Sequence, residues 1–235
     1  MIELQNIAVK HGSMTALWDI SLNIQEGERV GLLGANGAGK STTLGAIMGV
    51  YPLSAGTIRF RGDDIGRLSP AERVAAGIAL VPEGRHLFPA MSVQENLEMG
   101  AYAKLARPSV KPQLKRVFGL FPILEEKRSQ PAGQLSGGQQ QMVAIGRALM
   151  SNPSLLLLDE PFLGVAPIVI KSVLEALRKI AADGATILLV EQNVHRAFEF
   201  VQRGYVIENG RGVMEGSGDE IQNDPEFSTK FLGLV

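Results

Sequence analysis

The sequence predicts an α/β fold with a mainly parallel core sheet, an antiparallel β part and an inserted α-helical subdomain. Three observations carry that expectation. Apolar strands and helical patterns alternate through much of the chain, and such alternation buries a parallel sheet beneath its crossover helices. Near the start, apolar and polar residues alternate in IELQNIAV and again in ALWDISLNI, the pattern of two half-buried antiparallel strands. In the middle, Pro82, Pro89, Pro108, Pro112, Pro122 and Pro131 break the chain into short segments that read as a helical insert.

Taken in order, the run 29–33 is a buried strand that meets a glycine-rich turn, and a helix follows from about Gly39 to Gly49. Strands are expected at 57–60 and 78–81. Ser92 and Glu95 have the spacing of a capping box, in which each side chain satisfies the other's orphan backbone N–H. A helix runs from Gly137 to Met150, then a strand at 154–158 and a helix opening at Pro167. That helix carries Ile170, Val173, Leu174, Leu177 and Ile180 on one face and stops at Gly184. A strand at 186–190 and a helix from Asn193 close the series. Trp18 reads as a core residue. No repeat or linker divides the chain, so residues 1–235 form one domain, with 1–82 and 154–235 as its core and 83–153 as the insert.

Composition narrows the function. Lys and Arg total 23 against 24 Asp and Glu, and the net charge of -1 offers no electrostatic footprint for nucleic acid or anionic lipid. The chain has no cysteine, which excludes disulfides, thiolate metal sites and a cysteine nucleophile. The start MIELQNIAVKHG does not read as a secretory signal, and no apolar run approaches the roughly 20 residues of a spanning helix. Any membrane role must come through a protein partner, and the chain expressed alone should be soluble.

Gly34-Ala35-Asn36-Gly37-Ala38-Gly39-Lys40-Ser41 matches the P-loop pattern G-x-x-x-x-G-K-S between a strand and a helix, with Thr42 next in the helix. Glycines let backbone N–H groups wrap a polyphosphate, and the helix N-terminus adds a favourable dipole. Lys40 should hold the β- and γ-phosphates of ATP, and Ser41 should ligate Mg²⁺. Leu155-Leu156-Leu157-Leu158-Asp159-Glu160 is an apolar strand ending in two carboxylates. Asp159 can reach the Mg²⁺ sphere from the strand's end, and Glu160 can polarise the attacking water. The plainer alternatives are a glycine turn and an acidic strand end.

Leu135-Ser136-Gly137-Gly138-Gln139-Gln140 resembles the signature motif of ABC ATPases, upstream of the Asp159-Glu160 strand by about the separation that family shows. The Ser136 hydroxyl and the amides of Gly137, Gly138 and Gln139, at a helix N-terminus, can meet a γ-phosphate. In ABC ATPases this motif faces the nucleotide on the opposite subunit, so the resemblance implies an ABC ATPase fold and a second ATPase subunit. The resemblance covers nearly the whole chain, and VPEGRHLFPAMSVQENLEMGAY, LLVEQNVHRAF and RGYVIENG are most similar to the LivF-type ATPases of branched-chain amino-acid importers. It implies two integral membrane permeases, an extracytoplasmic solute-binding protein, and a place on the cytoplasmic face of the membrane held through those permeases. Urea transport, lipopolysaccharide extraction, a soluble ABC ATPase and a regulator without hydrolysis stay open as alternatives.

Four positions depart from the family pattern. Where an aromatic usually stacks on adenine the chain has His11, which can stack with less area or sit on the surface. Glu83 stands at the usual Q-loop glutamine, which links Mg²⁺ and water to the membrane subunit. Gln192 stands at the switch histidine, with His195 exposed on the next helix, and Ala166 replaces an acidic D-loop residue. Glu83 and Gln192 imply slower hydrolysis at the site built on this chain's own P-loop than at that of a sister subunit.

Overall fold

The computed structural model describes residues 1–102 and 109–224; Pro108 lies outside the described residues. Contacts divide the chain into two compact units, residues 1–73 with 186–235 and residues 74–185. These boundaries differ from the expected insert at 83–153, although every helix from Ser92 to Met150 falls inside the second unit.

In the first unit the N-terminal strands β1 (Ile2–His11) and β2 (Met14–Ile24) pair antiparallel, and β1 pairs antiparallel with β4 (Leu53–Phe60), four residues longer than expected at its start. Ile2, Leu4, Ile7, Val9, Ile20 and Ile24 are buried along this part. The expectation that Trp18 is core is wrong: its side chain is 51% exposed. Between the pairs Ile7–Ile20 and Val9–Leu17, β2 spends one more residue than β1. That bulge turns Trp18 and Asp19 outward together while Leu17 and Ile20 stay inside. The Arg211 guanidinium then covers the indole at 5.2 Å.

The strands β3 (Arg29–Leu33), β8 (Thr186–Glu191) and β9 (Arg203–Glu208) run parallel with β3 in the middle. All six residues of β8 are buried, the signature of a strand covered on both faces. β9 and β10 (Arg211–Ser217) form an antiparallel hairpin that the sequence reading did not anticipate, and β10 touches β2 in parallel. Its turn, Asn209-Gly210, has φ of 50° and 75°, the two left-handed residues of a type I′ hairpin. The small β5 (Asp63–Asp64) completes the edge beyond β4. Helix α1 (Lys40–Ile47) follows β3, and buried Arg73 of α2 (Pro70–Ala75) donates to the carbonyls of Ala46 and Ile47 at 2.7 Å each.

The second unit is built on the parallel pair β6 (Ile78–Val81) and β7 (Leu155–Asp159). Helices α3 (Val93–Glu98), α4 (Val110–Leu120) and α5 (Pro122–Glu126) pack around α6 (Gly137–Leu149), with Val93, Leu97, Val117, Leu124, Val143 and Ile145 fully buried. Ser92 and Glu95 form the expected capping box on α3. α7 (Pro167–Ala182) buries the expected face from Ile170 to Ile180, and Gly184 takes a left-handed φ of 95° just past its end. Two short helices of the first unit, α8 (Val194–Phe198), capped by Asn193, and α9 (Gly218–Asn223), finish the described chain.

The bulge separates neighbours in energy. Leu17→Ala should cost about 2–5 kcal/mol by leaving a cavity, whereas Trp18→Ala should cost under about 1 kcal/mol, since it removes an exposed ring and one cation–π contact. Urea unfolding of the two variants measures both, and equal losses would contradict the bulge.

Candidate functional site

The P-loop connects β3 to α1 in the first unit. Gly37 and Gly39 have φ of 79° and 108°, so the backbone curls through conformations that side-chain-bearing residues rarely adopt. Gly39 is also the cap of α1, and a Cβ there would stand 2.6 Å from Leu17 Cδ2 and 3.5 Å from the Ala16 carbonyl oxygen and from Gly210 Cα. At Gly34 a Cβ would collide with the carbonyl of Ile207. By contrast nothing lies within 4 Å of the Cβ position at Gly37, so the loop is packed on one side and open on the other.

Lys40 is only 5% exposed, and its Nζ donates to the carbonyls of Gly34 at 2.9 Å and Ala35 at 3.0 Å, which carries the ammonium back across the loop. Thr43 anchors the first turn through its hydroxyl on the Gly39 carbonyl at 2.9 Å. The hairpin turn contributes as well: Gly210 N–H donates to Ala38 O at 2.9 Å, and Trp18 N–H donates to Gly210 O at 2.9 Å. Sequence reasoning missed this support, which the Asn209-Gly210 dipeptide signals. Asn36, Ser41 and Thr42 lie along the loop and the first turn of α1, with Ser41 exposed.

Register places Gln192 beside the loop. Leu33 pairs with Glu191, so Gly34 and Gln192 leave the carboxyl ends of adjacent parallel strands. Gln192 and His195 are both exposed. His11, at the end of β1, is exposed and meets the edge of the Tyr51 ring at a centroid distance of 4.6 Å.

The second unit repeats the arrangement. Val81 pairs with Leu158, so Glu83 and Glu160 each follow by two residues on neighbouring parallel strands and share one sheet edge. Asp159 is 6% exposed at the end of β7. Glu160 has a φ of 44°, a left-handed conformation uncommon for a residue with a side chain and typical of positions fixed by function. Ser136 caps α6 with a full capping box: its hydroxyl accepts from Gln139 N–H at 3.4 Å, and its own N–H donates to Gln139 Oε1 at 3.1 Å. Gly138 is buried, and a Cβ there would stand 2.6 Å from Val169 on α7. Residues the sequence reading did not single out also enter: Arg147 of α6 donates to the carbonyls of His86 at 2.8 Å and Arg85 at 3.0 Å. Burial pulls the Arg147 pKa below its ordinary value.

His11, the P-loop and Gln192 thus belong to one unit, and Glu83, Asp159, Glu160 and the 136–139 segment to the other. A glycine loop on a strand-to-helix turn at the carboxyl end of a parallel sheet defines a P-loop nucleotide-binding α/β protein. The ABC transporter family matches residues 17–163. Across 99% of its length the chain is 43% identical to the whole of BraG, the high-affinity branched-chain amino acid transport ATP-binding protein of Pseudomonas aeruginosa. It is 32% identical to the probable branched-chain amino acid transport ATP-binding protein LivF of Archaeoglobus fulgidus, covering 100% of both chains. It is 33% identical to the lipopolysaccharide export system ATP-binding protein LptB of Escherichia coli, over 97% of this chain and 95% of that one. Among solved structures it resembles the ADP conformation of an ATP-binding cassette of an ABC transporter, with 29% identity, a TM-score of 0.86, and coverage of 100% of this chain and 99% of that one. It also resembles a dimeric ATP-binding cassette bound to ADP and Pi in a post-hydrolysis state, with 28% identity, a TM-score of 0.80, and coverage of 92% and 98%. The chain belongs to the ABC transporter family, as an ATP-binding cassette of α/β ABC ATPase fold that hydrolyses ATP.

Gly39→Ala should weaken ATP binding at least about tenfold, because it combines a left-handed backbone with a collision against buried Leu17. Gly62→Ala has a similar φ of 92° but nothing within 4 Å of the new Cβ, so it should leave affinity unchanged while costing about 1–2 kcal/mol of stability. Nucleotide titration and thermal unfolding separate the two.

Proposed function

We propose that the chain is the ATP-hydrolysing subunit of a branched-chain amino-acid importer, closing on a second ATPase subunit around ATP and driving two membrane permeases fed by an extracytoplasmic binding protein. The full-length similarity to BraG carries this reading. Among the described residues no helix is long and apolar enough to cross a membrane, so attachment at the cytoplasmic face would run through the permeases. The dimeric cassette among the similar structures supports the paired arrangement.

In the proposed mechanism the amides of 34–39 and Lys40 bind the phosphates, with Thr42 beside them in the first turn. Glu160 orients a water for in-line attack on the γ-phosphate, and Gln192 donates one amide hydrogen bond to it. Ser136, Gly137, Gly138 and Gln139 meet the γ-phosphate of the opposite subunit, and His11, braced by Tyr51, stacks on adenine. Mg²⁺ is the ion that this reading implies. Ser41 and Asp159 offer hard oxygens, with Glu83 as a further carboxylate, and no cluster of three or more His, Cys, Asp or Glu suited to a metal occurs among the described residues. An ion that keeps water and phosphate oxygens needs no such cage. When bound, it would neutralise charge developing on the phosphoryl oxygens. The segment 83–153 acts as the helical insert of the cassette, and 1–82 with 154–235 as its core.

Reconstituted with its permeases and binding protein, the chain should support ATP-dependent uptake of leucine, isoleucine or valine, and Glu160→Gln should lower turnover by about 10²-fold or more. Placed in one subunit at a time, the substitution should cost less on this chain's side, since Glu83 and Gln192 slow that site. Uptake of urea, or lipopolysaccharide extraction as the LptB similarity would favour, would overturn the cargo while leaving the ATPase in place.

The segment from Glu83 to Glu98 is proposed as the permease contact. Phe88 is 44% exposed and stands next to Pro89 and near Met91 in the chain, an apolar lip of the kind that docks a partner helix. Phe88→Ala with Met91→Ala should lower transport at least about fivefold with ATPase activity retained; unchanged transport would count against the contact.

A further inference from the structure

After β6 the chain turns through three consecutive left-handed residues, Gly84, Arg85 and His86, with φ of 76°, 67° and 45°. Only the first is glycine, and such a run persists only where its surroundings hold it. Within the turn, His86 N–H reaches Gly84 O at 2.7 Å. From α6, the Arg147 fork brackets the next two carbonyls, those of Arg85 and His86, at 3.0 and 2.8 Å. The same guanidinium lies 5.8 Å from the Phe88 ring centroid. Beyond it, fully buried Asn96 accepts from Phe88 N–H at 2.9 Å and donates to Phe88 O at 3.0 Å.

So clamped, Arg85 is aimed back at the start of α6. Its Nη1 donates to Gln140 Oε1 at 3.3 Å, and its guanidinium lies 3.1–3.4 Å from where a Cβ on Gly137 would stand. Its Nη2 makes a long contact of 3.5 Å with the carbonyl of Gly164, in the loop that follows Glu160. One turn therefore joins three places: Glu83 immediately before it, the 136–139 segment, and the loop behind Glu160.

We propose that Arg147 and Arg85 are positioning residues for ATP hydrolysis: Arg147 locks the left-handed turn, and Arg85 transmits the position of the Glu83 segment to the N-terminus of α6. The inference rests on the reading of that N-terminus as a γ-phosphate contact. Neither arginine is placed against the nucleotide, so neither should affect binding at this chain's own P-loop.

The test uses the assembled transporter and MgATP. Arg147→Met and Arg85→Met should each lower kcat at least fivefold, with the ATP dissociation constant of the isolated chain within about twofold of the parent. Arg147→Lys should retain little of the parent turnover, because an ammonium lacks the planar fork that spans two carbonyls. His86→Gly added to Arg147→Met should restore at least twofold of the lost turnover, since glycine adopts the left-handed conformation without the clamp. If Arg147→Met fails to fold, Arg85→Met, whose side chain is partly exposed, decides alone. Wild-type turnover in Arg85→Met, or no recovery with His86→Gly in a folded Arg147→Met protein, overturns the proposal. A parent transporter without Glu160-dependent turnover would instead defeat the ATPase reading on which it stands.

Discussion

Parallel strands paired in register fix the height at which each strand ends, and the groups proposed to bind and hydrolyse ATP hang from those ends. Leu33 lies level with Glu191 and Val206, and Val81 with Leu158. Gly34 and Gln192 therefore emerge together in one unit, and Glu83 and Glu160 in the other. A slip of one residue in either pairing would turn every side chain of the strand to the opposite face. It would also misplace the loop that follows. Complete burial of β7 and β8 makes such a slip costly, so hydrophobic packing of leucines and valines sets the position of polar groups that never enter the core.

Helix α1 shows the same constraint acting on charge. Its first turn holds no acidic residue and its last turn no basic one, so the helix does nothing to balance its own dipole. Lys40 at its first position folds back over the loop, its ammonium donating to the carbonyls of Gly34 and Ala35. At the other end Arg73, 2% exposed, meets the last carbonyls. Burial lowers its pKa, yet carbonyl oxygens around the guanidinium keep the charge tolerable. One pole is satisfied by Arg73, and the other is the end proposed to receive phosphate.

Features written in adjacent residues were legible in the sequence. The P-loop, the Ser92–Glu95 capping box, the apolar face of α7 and the runs of β3, β7 and β8 each depend on spacing within one element. What escaped depends on a second element. Trp18 alternates as a core residue until the β1 register adds a bulge. Arg73, Arg85 and Arg147 look like ordinary surface cations, and only tertiary contact shows them bonded to carbonyls on other segments. The β9–β10 hairpin was the avoidable miss, since Asn209-Gly210 between two apolar stretches is a local signal. Its turn supports the P-loop through Ala38, so the omission hid part of the site.

Helix α6 links the signature segment at one end to a clamp near the other. Thirteen residues make it about 20 Å long, and its glycines are spent on close packing. Gly138 admits Val169 of α7, and Gly146 admits Leu97 of α3 and Val117 of α4, where a Cβ would stand 2.6–2.8 Å from the neighbouring methyls. Such close approach of neighbours along both halves of the helix resists bending, and in the proposed coupling a displacement of the Arg147 end carries Ser136 with it. Arg147 is bonded to the turn that follows Glu83. The signature segment is thereby tied mechanically to the region proposed to touch the permease, through a rigid helix and two hydrogen bonds.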